Sequence, residues 1–111
     1  MTDRELLELA AKAAGYTTIQ YQNLKDSSLD IRYGIDEAIW NGEDYWNPLE
    51  NDGTALRLAV KLRISVMFDD DLIWCNHNPY DFDNSDPYAS TRRAIVRAAA
   101  EIESKLKEKN T

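Results

Sequence analysis

Residues 44–66 read DYWNPLENDGTALRLAVKLRISV, and their succession of aromatic pair, proline turn, helix and β-branched run sets the fold class. Pro48 fixes its own φ and drives Asn47 out of the helical region, so an extended Tyr45-Trp46 has to stop there. Asp52 stands where a helix N-cap belongs, and Glu50 adds negative charge near the positive end of the helix dipole. Residues 55–62 are nearly all good helix formers. The spacing predicts a helix that buries Leu56, Ala59, Val60 and Leu62 and leaves Arg57 and Lys61 outside.

Upstream, residues 2–14 predict a first helix with Thr2 or Asp3 as N-cap, Leu6, Leu9, Ala10 and Ala13 on its apolar face, and Gly15 just past its end. From Tyr16 the period changes to two, so Thr17, Ile19 and Tyr21 predict a strand, and Leu29, Ile31, Tyr33 and Ile35 predict another beyond a polar turn. Ile39-Trp40, Asn41-Gly42 and Tyr45-Trp46 suggest a short hairpin, with one helical turn over residues 36–39 as the alternative. Downstream, Ile64, Val66 and Phe68 enter a second hairpin through the loop Asp69-Asp70-Asp71, with Phe68 expected opposite Leu72 and Val66 opposite Trp74. Asn78-Pro79 then opens an acidic loop. Asp86-Pro87 starts the last helix, whose expected stripe is Ile95, Ala98 or Ala99, Ile102 and Leu106. The order α-β-β-(β-β)-α-β-β-α gives an α+β domain over residues 1–111, three helices on one small antiparallel sheet.

A chain of 111 residues with 43% hydrophobic residues is one globular domain that buries roughly two-thirds of its unfolded surface. The single Cys75 precludes an intrachain disulfide, the polar opening MTDRELLELAAKAAG lacks the apolar core of a signal peptide, and no apolar run reaches bilayer length. The expected location is therefore cytoplasmic, with no membrane association. The net charge of -7 is unevenly spread: residues 26–52 carry eight acids and one base, residues 69–86 six acids and no base, and residues 87–111 six bases and three acids. Such a surface disfavours direct binding of nucleic acid and leaves a basic protein partner open.

Trp46-Asn47-Pro48-Leu49, Asp52-Gly53 and residues 55–62 resemble a family of small phage and prophage proteins of unknown function related to NinX. The run from Asp86-Pro87 to Ile102 looks like the last helix of those proteins, and MTDRELLELAAKAAG is similar to their opening. The resemblance implies an accessory product of a temperate phage, made in a bacterial cytoplasm. It brings no catalytic residue and no cofactor.

Candidate sites divide by chemistry. Asp81, Asp83 and Ser85 have the oxygen spacing that opens a calcium loop, but Asp86 replaces the glycine at position six and Arg92 the glutamate at position twelve, which favours a solvated loop. Asp69-Asp70-Asp71 lacks an accompanying phosphate loop, so a soluble hairpin tip is the better reading. Cys75 and His77 share a strand face without an orienting third group, and fit a buried thiol and a strand-end histidine. Arg92, Arg93 and Arg97 form the basic cluster, suited to gripping carboxylates or phosphates, with intramolecular pairing favoured. Trp40, Tyr45 and Trp46 are core or interface rings.

No metal, cofactor or catalytic residue is assigned. The expected function is non-enzymatic binding of a host or phage protein, with Trp40, Glu43, Asp44, Tyr45, Trp46, Arg93 and Arg97 as the candidate contact residues. The alternatives are an acidic mimic of nucleic acid that blocks a DNA-binding or defence protein and, last, a metal-dependent hydrolase using Asp69, Asp70, Asp81 and Asp83. The stripe of the final helix also makes a homodimer an expectation to test.

Overall fold

The computed structural model describes residues 1–109; the last two positions of the expected domain, and the side chains of Tyr33 and Lys109, lie outside the described residues. Helices and strands alternate as α1 (Asp3–Ala13), β1 (Gln20–Asn23), α2 (Ser28–Tyr33), β2 (Glu37–Trp40), β3 (Tyr45–Trp46), α3 (Asp52–Leu62), β4 (Val66–Phe68), β5 (Leu72–Cys75), β6 (Asn78–Asp81) and α4 (Pro87–Lys109). The class is α+β. Among the described residues there are four helices rather than three, and two antiparallel sheets, β1-β2-β3 and β4-β5-β6, rather than one.

The extra helix arises where alternation suggested a strand. Ser27 accepts the Asp30 N–H on its side chain, Asp30 in turn accepts the Asp26 N–H, and Gly34 closes the turn in the left-handed region at φ 69°. These caps override the period-two pattern of residues 29–35, and Ile31 is left exposed. Of the two cap candidates the structure uses Thr2, in a full capping box with Glu5. The cap of α3 is Asn51 rather than Asp52: its Oδ1 accepts the Thr54 N–H at 2.8 Å, and Asp52 becomes the first helical residue.

In the first sheet β2 pairs with β1 and β3, so residues 37–40 are extended and not a helical turn. Asn41 Oδ1 accepts the N–H groups of Glu43 and Asp44, and Gly42 takes φ 98° to complete the link to β3. In the second sheet the register differs by one residue from the expected pairing. Phe68 lies opposite Ile73, Met67 opposite Trp74 and Val66 opposite Cys75. The Asp69 N–H donates to the Leu72 carbonyl, so the turn is tighter than three residues. Ile73 and Cys75 are thereby placed inward against α4, while Trp74 joins Met67 on the outer face. A further strand, β6, replaces the expected acidic loop at Asn78-Pro79. Asn76 and His77 both hold positive φ, as a two-residue primed turn requires, and Asn76 also bonds back to Ser65.

The core forms around α4, which packs on α1, α3, β5 and β6. Its buried surface is broader than a narrow stripe. Ala94, Ile95, Val96, Ala98, Ala99 and Ala100 are all buried, whereas Leu106 is half exposed. The face of α1 is Leu6, Leu7, Ala10 and Ala11, rotated from the expected one, with Leu9 only partly buried. Helix α3 turns Ala55, Leu58 and Ala59 inward and leaves Leu56 and Val60 outside, the reverse of the expected burial for both. Positions 55, 58, 59 and 62 form the cleaner three-and-four stripe, so the chain carries a second apolar strip on the same helix.

Asn47, the one buried polar residue among the described residues, ties β2 to the link between β3 and α3. Its Nδ2 donates to the Glu37 carbonyl and its Oδ1 accepts the Leu49 N–H, both at 2.8 Å. Asn47→Ala leaves both backbone partners unpaired and is expected to lower stability by about 2 kcal/mol in urea titration. A loss below a few tenths of a kcal/mol would show that water replaces both bonds.

Candidate binding groove

The exposed strip of α3 forms one wall of a groove. Leu56 is 63% and Val60 69% exposed, one turn apart on the solvent side of the helix. Facing Leu56, Phe68 is 60% exposed although it stands on the inner face of its sheet, opposite the fully buried Ile73. The Phe68 ring packs edge-on against Phe82 at 6.1 Å. Tyr88, 70% exposed on the first turn of α4, closes the far side. Ala55 and Ile95 make the floor of this groove, whose volume is about 470 Å³.

One cation lines it, and that cation is engaged. Arg92 donates through Nε to the Leu49 carbonyl at 2.7 Å and through Nη1 to Asp52 at 2.6 Å. It thereby bolts the start of α3 to α4 and presents no free charge. The groove was not legible as a site, because Leu56 and Val60 read as core. The available signal was a helix with more apolar positions than one face can hold.

The aromatic candidates separate by strand alternation. Tyr45 and Trp46 are neighbours in β3, so one ring must point inward and the other outward. Trp46 is buried and packs edge-on against Tyr16 at 5.5 Å, whereas Tyr45 is partly exposed, packs on Trp40 at 5.1 Å and donates to Gln22. Glu43 is exposed at the turn, and Asp44 and Tyr45 border a second depression of about 420 Å³ with Arg57 and Lys61 opposite. Arg93 and Arg97 lie elsewhere, in a depression they share with Tyr80, Asp81 and Asp83. The seven candidate residues therefore do not form one surface.

Arg93 grips Asp3 with both terminal nitrogens, at 2.9 and 3.1 Å, an intramolecular pairing with the first residue of α1 rather than with the loop acids the sequence favoured. The fork holds the Asp3 carboxyl below its ordinary range, partial burial opposing, and raises the guanidinium. Both side chains are about two-fifths exposed, so solvent screens the pair. Asp3→Asn is expected to cost under about 1 kcal/mol at neutral pH. Because the folded carboxyl is the stronger acid, this contribution is present above the unfolded value and disappears as pH falls through the folded one. Stability curves of the two proteins should converge in acid; a constant gap would assign the effect to something other than charge.

The other candidate chemistry resolves into structure. Asp83 accepts both the N–H and the hydroxyl of Ser85, which lowers its pKa, and Asp86 caps α4 by accepting the Ala89 N–H. Among the described residues no three His, Cys, Asp or Glu side chains converge closely enough to hold a metal ion, and no helix is long and apolar enough to cross a membrane. Cys75 is fully buried, and burial pushes its thiol up to about 11; His77 is exposed in the turn. The thiol should resist a disulfide reagent at pH 8 in the native protein and react at once in denaturant. Rapid native labelling would contradict this burial.

No family model matches the chain, and neither does any curated protein or solved structure.

Proposed function

We propose that this chain is a non-enzymatic binding protein that holds another protein against the groove between α3, the end of β4 and the start of α4. The observation that carries the reading is the exposed apolar cluster of Leu56, Phe68 and Tyr88 around the groove, with Val60 exposed one turn further along α3. Large apolar side chains gathered on one face lose free energy by staying wet, and such patches mark interaction surfaces. The reading keeps the expected mode of action and moves its grip away from residues 26–52, since Trp46 is part of the core. Mimicry of nucleic acid would rest on carboxylates alone. Rings and aliphatic side chains at the centre of the surface favour a protein.

The resemblance to phage proteins related to NinX supports placing this activity in a bacterial cytoplasm, as an accessory function of a temperate phage. Tagged protein incubated with lysate of lysogenic cells tests the reading. The double variant Leu56→Ser/Phe68→Ser should lose the proteins captured by the parent, with stability changed by no more than about 0.5 kcal/mol, because both sites are already exposed. Trp40→Ala/Tyr45→Ala should keep them. An unchanged set from the groove variant, or loss confined to the hairpin variant, overturns the proposal.

A further inference from the structure

The charge around the groove narrows what fills it. We infer that its occupant is a partner segment carrying bulky apolar anchors flanked by lysine or arginine. This rests on the groove being the binding surface.

The apolar floor selects the anchors, and the rim selects the flanks. Phe68 runs directly into Asp69-Asp70-Asp71, and Phe82 stands between Asp81 and Asp83. Among the described residues none of these five carboxylates has a cation within 4.0 Å. Arg92, the cation that lines the groove, is held by Asp52 and the Leu49 carbonyl. Arg93 and Arg97 lie in the adjacent depression with Asp81 and Asp83, and Arg93 is held by Asp3, so Arg97 is left as the opposing charge on that side. Asp69, Asp70 and Asp71 are exposed at the hairpin tip next to Phe68, outside both depressions. An acidic segment would be repelled at the tip, and a neutral one would cover carboxylates while offering them nothing. A basic flank gains at the tip, through faster encounter and through charge-assisted bonds there.

The chain itself contains one short run of this chemistry, Lys105-Leu106-Lys107, with Leu106 half exposed near the end of α4. Docked into a second copy, it would bring a single apolar anchor, with Glu103 and Glu108 beside its lysines. A separate basic partner fits the charge better, and we commit to it.

The probes are three designed amphipathic peptides with the same Leu and Phe anchors and with Lys, Gln or Glu flanks. Fluorescence anisotropy in low salt should place the Lys peptide about tenfold or more ahead of the Gln peptide and the Glu peptide last, an advantage that collapses in concentrated salt. Asp69→Asn/Asp70→Asn/Asp71→Asn should remove the preference while leaving Gln-peptide binding unchanged. Amide shifts should cluster at Leu56, Phe68 and Tyr88. Equal affinity for the Lys and Gln peptides, shifts centred on Tyr45 instead, or concentration-dependent self-association abolished by Leu106→Ser would each overturn the inference. If no peptide binds while lysate capture still depends on Leu56 and Phe68, the basic occupant fails and the binding reading stands. If capture is also indifferent to Leu56 and Phe68, the groove reading fails with it.

Discussion

Close approach of helices through the alanines of α4 is the constraint on which the rest depends. Ala94, Ala98, Ala99 and Ala100 are buried together with Ile95 and Val96, so nearly every side of this segment meets another part of the protein. Small side chains let α1 and α3 come near while β5 and β6 pack along the same helix. A helix apolar on most of its circumference has to be central, and its neighbours are then arranged by which of their faces can reach it. Packing of this kind tolerates little change in volume, because interiors are filled to crystal-like density.

The same constraint leaves apolar surface over. Helix α3 can present only one side to α4, and Ala55, Leu58 and Ala59 take that place. What remains, Leu56 and Val60, has nowhere in the fold to go. The second sheet also leaves a ring over, since Phe68 stays 60% exposed opposite the buried Ile73. Arg92 joins these parts by linking Leu49 and Asp52 to α4, so both walls of the groove belong to one braced unit. A binding surface on helices and a strand end is stiffer than one on loops, and less ordering entropy is lost when it is covered.

Structure is legible in the sequence where local signals agree with one another. The start of α1 at Thr2 or Asp3, the proline start of α4 and the hairpin around Asn41-Gly42 are legible for that reason. Residues 28–33 misled because alternating apolar residues compete with a serine cap and a glycine stop, and the caps won once Asp30 closed on Asp26. The extra strand was hidden by Pro79, which discourages a strand assignment although an edge position tolerates it. The site was concealed by a deeper ambiguity. Two apolar strips on one helix look alike in sequence, and only the position of α4 decides which is core. Charge runs were readable as composition, but whether Arg93 faces a partner or Asp3 depends on a contact ninety positions away.

The outer strands of both sheets are short: four residues in β1, two in β3, three in β4 and four in β6, the last with a proline that lacks an N–H. Such edges offer almost no main-chain ladder, so the molecule gives a visiting chain little backbone to zip onto and has little tendency to stack on itself. What the fold leaves exposed is side-chain tips that the scaffold does not need. A few wet positions can therefore change while the alanine-lined centre stays as it is.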